Sequence, residues 1–348
     1  MVLHRTLRWS AGLGVVLLGV IVGSATIGPA DIGVFETIAV LLEMVVVPTY
    51  AAGSLEWIHP FAADVSTTTR TIVGSIRLPR ILLGAVVGFA LATAGTVFQG
   101  FFRNPLADPS IIGISAGAAT GAVGYIVAPV TVPYGLPAAA FVGGLFTGGL
   151  VYVIATEGGR TPVATLLLAG IAVQTFFGAV ISYLLLNAGR SLERVVYWLM
   201  GHLHASTWWR LSIAVPPVLV VFALLLAHTR DLNLLMMGEE HAHALGLDVE
   251  RSKRNLLAGA SIVTAAGVAV SGVIGFVGLV VPHIMRLLVG PDHRVLLPTS
   301  ALAGAIFLVA TDTVARAGAA ELPVGIVTAA LGAPFFLYLL ISREVHSV

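Results

Sequence analysis

Residues Gly84–Gly100 read GAVVGFALATAGTVFQG, seventeen consecutive positions without a charged side chain. The apolar run around them covers about residues 79–101, and about 20 apolar residues in a helix cross the roughly 30 Å hydrocarbon core of a bilayer. Similar runs recur along the whole 348-residue chain, which is 57% hydrophobic and only 10% charged. Soluble proteins carry about 25% charged residues. The sequence therefore predicts an all-α, polytopic membrane protein.

The apolar runs predict a single transmembrane domain over residues 1–348. We place ten transmembrane helices at about residues 11–27, 79–101, 110–129, 136–156, 162–186, 209–228, 255–272, 276–290, 296–313 and 323–342. The segment Gly33–Pro48 is not among them, because Glu36 and Glu43 lie seven positions apart and share one helical face. That pattern favours an amphipathic helix on the membrane surface over an additional span.

The positions of lysine and arginine predict the orientation, because loops rich in these residues stay in the cytoplasm. With the N-terminus inside, eleven of the 18 basic residues lie at the cytoplasmic side and seven lie outside. We therefore expect a protein of the cell membrane with both termini in the cytoplasm. The basic start, with small residues near Ala25 and Ala30, also fits a signal peptide. The run 11–27 is long for that purpose and favours a retained first span.

Composition and motifs argue against several classes of protein. A net charge of +1 without a basic patch argues against nucleic-acid binding, and the absence of cysteine excludes disulfide and thiol chemistry. The only lysine, Lys253, is followed by Arg254, so the chain has no P-loop for ATP. An intramembrane enzyme lacks support because no H-E-x-x-H motif occurs. An ion-coupled secondary transporter, the runner-up class, would carry acidic residues at span centres, whereas Asp312 lies near a span end.

The stretch GEEHAHALGLDVERSKR, Gly238–Arg254, is an island of charge that could suggest a metal site. On a helix, His241 and His243 are about 200° apart, so the two imidazoles cannot chelate one ion. A metal site with a single histidine, formed by Glu239 and His243 four positions apart, remains an alternative. The acidic start suits a helix N-terminus, and Gly246 suits the C-terminal end of the same short helix. We therefore predict a short helix and turn without a bound metal.

Several motifs occur in one order between about Arg77 and Arg343: RLPR, NPLADP, GISAGA, LLLAG, GFVGLVVPHIMR, DHRVLLP and AELPVGIVTAALGAPFFLYLL. In this order and spacing they resemble the permease subunits of ATP-binding-cassette importers for iron siderophores, haem and vitamin B12. The resemblance implies the type II importer permease fold and a homodimer around a central path. Two copies of a separate ATPase and an extracytoplasmic substrate-binding protein would be its partners. The chain itself would hold no cofactor and perform no covalent chemistry.

The similarity of the last third to the vitamin B12 branch favours a corrinoid cargo, with ferric siderophore or haem as alternatives. Within the resemblance, residues 229–254 correspond to an ATPase-docking loop. Its coupling contacts would be Gly238, Glu239, Glu240, Ala244, Leu245 and Gly246. Arg77 and Arg316 correspond to basic contacts for the binding protein, although interfacial arginines that reach lipid headgroups are an alternative.

The resemblance also places a constriction at the cytoplasmic end of the path. Asn104 and Leu106 of NPLADP correspond to this cytoplasmic gate. Val163 and Ala164 stand at a second tier, where the vitamin B12 branch often carries hydroxyl residues. This departure leaves the exact cargo and the second tier open.

Overall fold

The computed structural model describes residues 2–28, 30, 32–44, 47–51, 54–58, 60–61, 65–204, 206–318 and 321–344. Helices dominate these residues, and a single two-stranded hairpin accompanies them. The helices are α1 (Val2–Thr26), α2 (Val34–Glu43), α3 (Thr67–Thr71), α4 (Leu78–Phe101), α5 (Ile114–Val127), α6 (Gly135–Ala155), α7 (Val163–Leu186), α8 (Leu192–Leu199), α9 (Trp208–Ala227), α10 (Thr229–Met236), α11 (Glu239–Ala244), α12 (Val249–Ser271), α13 (Val277–Val289), α14 (His293–Ala317) and α15 (Val324–Glu344). Strands β1 (Val47–Ala51) and β2 (Ser54–Ile58) pair antiparallel.

Each of the ten predicted spans coincides with a helix of the described chain. Seven helical segments are long and apolar enough to cross a bilayer: Val2–Thr26, Thr67–Phe101, Gly135–Ala155, Val163–Leu186, Trp208–Ala227, Val249–Ser271 and His293–Ala317. Three shorter apolar helices, α5, α13 and the Val324–Tyr338 part of α15, supply the rest. The prediction of an all-helical membrane bundle is confirmed. The largest boundary difference is at α1, which begins at Val2 instead of residue 11.

Helix α2 occupies the segment that could have been an eleventh span. It has ten residues, about 15 Å of helix, which is half of what a bilayer crossing needs. Phe35 is 89% exposed, whereas Val40 is buried and packs with Ile32 and Val73. The helix is therefore amphipathic, as predicted, and too short to span. Its position on a membrane surface stays a prediction.

The middle of the bundle is built from α4, α12 and α14. In the most apolar windows of the α4 and α12 segments, 78% of residues are buried, against 11% in α1. Glycine permits this close packing: a Cβ on Gly88 would lie 2.2 Å from the carbonyl oxygen of Gly304, and one on Gly95 would lie 1.9 Å from that of Gly278. Small residues let helix backbones touch where lipid offers no hydrophobic drive for association. Glycine therefore sets how closely these helices cross.

The NPLADP motif ends α4 and redirects the chain. Asp108 Oδ1 accepts a hydrogen bond from Ser110 N at 2.8 Å and begins a 3₁₀ turn, Pro109–Ile112. Gly113 then adopts φ 81°, a left-handed conformation that suits glycine, and α5 starts. The break is what the two prolines of the motif predict, because a residue before proline is pushed out of helical geometry.

Candidate functional site

Helices α10, α11 and the start of α12 form the charged loop 229–254, and we call this end of the bundle the loop end. The predicted short helix is present as α11. Gly238 precedes it at φ 106° and Gly246 follows it at φ 85°, both in the left-handed region that favours glycine. Glu239 and Glu240 occupy its first turn, where their negative charge interacts favourably with the positive N-terminal end of the helix dipole.

The exposed part of this loop carries large apolar side chains among its charged ones. Leu245, at the end of α11, is 57% exposed, and Met237 is 59% exposed just before it. Ala242 of the same helix is buried, so α11 packs through one side and presents the other. A cavity of about 740 Å³ lies beside the helix, between Arg160 and Gly246. Exposed apolar side chains rimmed by polar ones are typical of a surface that meets a partner.

Lys253 lies buried under the loop and binds it through ion pairs and a hydrogen bond. The sequence alone did not indicate this role. Lys253 is 3% exposed, and its Nζ lies 2.9 Å from Glu239 Oε1 and 3.1 Å from Glu250 Oε1. Nζ also donates to the carbonyl oxygen of Thr161 at 2.8 Å, and Thr161 N donates to Glu250 Oε2 at 3.1 Å. One buried cation thus joins α11, α12 and the turn before α7. Its rarity, as the only lysine in the chain, was the available clue.

Asn233 of α10 makes a second connection, from the loop to the bundle. Its Nδ2 donates to Asp292 Oδ1 at 2.7 Å, and its Oδ1 accepts from His293 N at 2.9 Å. Hydrogen bonds from Arg294 lower the pKa of Asp292 to about 2, so this carboxylate is charged at neutral pH. A Cβ on Gly100 would lie 2.6 Å from His293 Nε2. The loop is therefore tied to the first turn of α14 and, through it, to the end of α4.

The predicted gate residues lie at this same end. Asn104 Oδ1 accepts a hydrogen bond from Leu106 N at 2.9 Å, which shapes the turn after α4. Asn104 is exposed and Leu106 is half-buried. A Cβ on Gly238 would lie 3.8 Å from the Arg103 side chain, so this turn adjoins the loop. The second-tier pair sits in the first turn of α7, following the N-cap Pro162, with Val163 half-buried and Ala164 exposed.

The opposite end of the bundle, which we call the arginine end, contains Arg77 and Arg316. The structure buries both: they are 4% and 6% exposed. Arg77 Nη1 donates to the carbonyl oxygen of Ala25 at 2.7 Å, and Arg316 Nη1 donates to that of Ile27 at 2.9 Å. The two guanidinium groups therefore satisfy carbonyls at the end of α1, which a helix leaves without partners.

Arg80 and Asp312 complete this arginine cluster. Arg80 Nη2 lies 2.8 Å from Asp312 Oδ1 and its Nε lies 2.9 Å from Oδ2, a bidentate pair. Arg80 also contacts Glu321, and Arg316 Nε lies 3.5 Å from Asp312 Oδ2. The sequence predicts outward contacts by Arg77 and Arg316, whereas in this structure their hydrogen bonds are made within the chain. Their role towards a binding protein stays a prediction.

The histidines of α11 do not come together with acidic groups into a larger cluster. Across the described residues, no group of three or more histidine, aspartate or glutamate side chains is placed to hold a metal ion. His241 and His243 are both exposed on α11. Glu239 is engaged by Lys253, and Leu245 is exposed on the same helix. The expectation that this loop binds no metal stays a prediction.

Comparison with known proteins gives this geometry a family. The model of the FecCD transport family matches residues 13–342. A cobalamin import system permease protein of Halobacterium salinarum is 54% identical over 99% of this chain and 98% of its own length. A hemin transport system permease protein of Yersinia pestis is 45% identical over 78% of this chain and 83% of its own length. A solved structure described as an inward-facing conformation of a metal-chelate type ABC transporter has a TM-score of 0.81 at 32% identity, covering 96% of this chain and 99% of that one.

Proposed function

The chain belongs to the FecCD transport family, and we propose that it is the membrane-spanning permease subunit of an ATP-driven importer whose cargo is a corrinoid. One observation carries the choice of cargo, the 54% identity over nearly the full length to a cobalamin import permease. The chain is a multi-pass protein of the cell membrane. In the proposed mechanism it performs no covalent chemistry and moves its cargo by alternating access.

A haem or ferric siderophore cargo is the alternative within the same class. The hemin transport relative at 45% identity supports it, and Val163 and Ala164 do not supply the hydroxyl groups that favour the vitamin B12 branch. An ion-coupled secondary transporter finds less support. Asp312 is buried, but its carboxylate is paired with Arg80 and Arg316 and so is engaged structurally. In an ion-coupled transporter, the intramembrane carboxylate must instead bind and release the coupling ion during each cycle.

Energy would come from a separate ATPase that docks on the loop 229–254. The missing P-loop supports a separate subunit. The exposed side chains of Met237 and Leu245 supply an apolar contact. The ion pair between Lys253 and Glu239 holds α11 in position for this contact. Gly238, Glu239, Glu240, Ala244 and Gly246 shape this contact within the single domain 1–348. Two permease subunits would present two such loops to two ATPase subunits.

In this proposal the loop end faces the cytoplasm and the arginine end faces outside. Arg5 Nη2 donates to the carbonyl oxygen of Val289 at 2.9 Å, which brings the start of α1 to the loop end. We therefore propose a cytoplasmic N-terminus and, after ten spans, a cytoplasmic C-terminus. The substrate-binding protein would dock at the arginine end. Because Arg77 and Arg316 are buried, their contact with it would require the end of α1 to release them.

In the proposed homodimer, Asn104 and Leu106 narrow the cytoplasmic end of the path, with Val163 and Ala164 beside them. The chain has no cysteine, so a single Leu106→Cys substitution reports on this position alone. A residue near the two-fold axis meets its own symmetry mate, and we expect oxidative cross-linking of the dimer in at least one nucleotide state. Val153→Cys, on an exposed part of α6, is the control without cross-linking. Absence of the Leu106→Cys cross-link in every state would contradict the gate assignment.

Uptake into proteoliposomes tests the cargo. The chain, its ATPase and its binding protein are reconstituted, and labelled cyanocobalamin, hemin and a ferric siderophore are offered separately and in competition. We expect ATP-dependent uptake of cyanocobalamin that a tenfold excess of hemin does not suppress. Uptake of hemin or the siderophore in place of cyanocobalamin would overturn the choice of cargo. Uptake that follows an ion gradient without ATP would overturn the class.

A further inference from the structure

A cavity of about 520 Å³ opens at the arginine end beside α8. Its polar lining comes from α8 and the residues around it: Arg190, Glu193, Arg194, His202, His204 and Arg210. The cavity lies close to the arginine cluster, because Arg80 and Glu321 both act electrostatically on His204.

Two imidazoles and a phenol gather at one wall of this cavity. The ring centroids of His202 and His204 are 4.4 Å apart, and those of Tyr197 lie 5.1 Å and 4.8 Å from them. His202 is 92% buried, since its exposed fraction is 8%. Its backbone N donates to the carbonyl oxygen of Ser271 at 2.7 Å, which fixes the loop. Its Nδ1 is buried, whereas His204 is exposed, so the ring of His204 is the one that a ligand in the cavity reaches first.

The charges of the cavity favour an anion. Among the described residues, Arg190, Arg194 and Arg210 have no carboxylate within ion-pair distance, and Glu193 is the single acid in the lining. Unpaired guanidinium groups match carboxylate and phosphate oxygens in geometry and charge. The cavity therefore combines groups that recognise acidic substituents with neutral ring nitrogens.

The imidazoles are held in the form that binds metals. Burial, reinforced by His204, lowers the pKa of His202 to about 4. Burial also lowers the pKa of His204, against the opposing charge of Glu321. Both rings are consequently neutral at neutral pH, and only the neutral imidazole has a lone pair to offer a metal ion.

We propose that the His202–His204 pair is an axial-ligand site for the metal of a planar, acidic metal chelate, whose carboxylate or phosphate groups pair with Arg190, Arg194 and Arg210. This proposal rests on the proposed function as a chelate importer. In the binding step the bond between the metal and an axial water oxygen breaks, and the lone pair of a neutral imidazole nitrogen forms a metal–nitrogen bond. Water leaves intact, no proton is released and the metal keeps its oxidation state.

This chemistry would select among metal chelates. A macrocycle that occupies only the equatorial positions leaves an axial site that an imidazole can take. A hexadentate ferric chelate has no such position, so the cavity could hold it only through the arginines. The site would therefore distinguish macrocyclic from hexadentate cargo before translocation begins.

Visible spectroscopy of the full chain in lipid nanodiscs tests the proposal, with aquacobalamin and hemin as the probes. Replacement of axial water by imidazole changes the absorption spectrum of both. We expect this shift with the wild-type chain and with the control His4→Asn, an exposed histidine at the far end of α1. The double variant His202→Asn with His204→Asn should lose it. Persistence of the shift in the double variant, or its absence from the wild type, would overturn the proposal.

Two further measurements keep the result interpretable. His204 is exposed, so His204→Asn alone should fold even where the double variant does not, and it should weaken or abolish the shift; an undiminished shift would count against the pair. Uptake of aquacobalamin and of hemin by the reconstituted transporter is measured in parallel. Uptake without a spectral shift overturns only the axial-ligand site, whereas absence of any chelate uptake overturns the proposed function itself.

Discussion

The two ends of the bundle use buried cations in opposite ways. At the arginine end, Arg77 and Arg316 donate hydrogen bonds to carbonyls at the end of α1, so these side chains are used in contacts within the chain. At the loop end, Lys253 pulls two glutamates inward and leaves Leu245 57% exposed on the other side. Buried ion pairs and hydrogen bonds stabilise both ends, and at the loop end they also hold a helix that presents an exposed leucine. The comparison suggests that the arginine end provides rigidity and the loop end provides contact.

Breaking the arginine cluster should have the largest effect on stability. In Asp312→Asn, the side chains of Arg80 and Arg316 lose the carboxylate that now lies 2.8 Å and 3.5 Å away. Removal of one member of a buried ion pair typically destabilises a protein by about 3–5 kcal/mol. Thermal unfolding in detergent, followed by tryptophan fluorescence, should show a strongly lowered Tm. Glu157→Gln, at an exposed position, is the matched control, and a wild-type Tm for Asp312→Asn would contradict the rigid role of this end.

Removal of Lys253 should have a smaller and more local effect. Its carboxylate partners are 39% and 31% exposed, so solvent screening reduces the loss for Lys253→Met to about 1–2 kcal/mol. We expect faster amide hydrogen exchange over residues 239–247, because α11 loses its connection to α12. Lys253→Arg keeps the charge and should preserve most of the protection. Unchanged exchange in Lys253→Met would show that the loop is held by packing alone.

The apolar pattern was sufficient to predict the bundle. Runs such as Gly84–Gly100 indicate a membrane-spanning helix by their length and composition alone, and the seven-residue spacing of Glu36 and Glu43 correctly indicated an amphipathic helix. Helix α11 was also predictable, because Gly238, Gly246 and the intervening glutamates are local features of a short helix. Each of these inferences depends on neighbours within a few turns of one helix.

The polar connections could not be predicted because their partners are distant in sequence. Arg316 bonds to Ile27, 289 positions away, and Asn233 bonds to Asp292, 59 positions away. The burial of Arg77 likewise depends on where α1 ends, which hydropathy alone does not fix. His202 and His204 lie two positions apart in a loop, and only the fold places Tyr197 and the arginines around them. Lys253 stands out in the sequence as the only lysine. Of its two carboxylate partners, only Glu250 lies within one helical turn of it.

ATP-dependent uptake by the Leu245→Asp variant tests the central claim most directly. Leu245 is exposed, so a charge there should leave the folded chain intact, but it would be buried in the proposed contact with the ATPase at a high desolvation cost. In proteoliposomes with the ATPase and binding protein, we expect cyanocobalamin uptake to fall by about tenfold or more, equivalent to about 1.4 kcal/mol of lost contact. ATP hydrolysis would become independent of cargo, while His241→Ala should transport normally. Undiminished, cargo-coupled uptake by Leu245→Asp would contradict the assignment of this loop as the contact that drives transport.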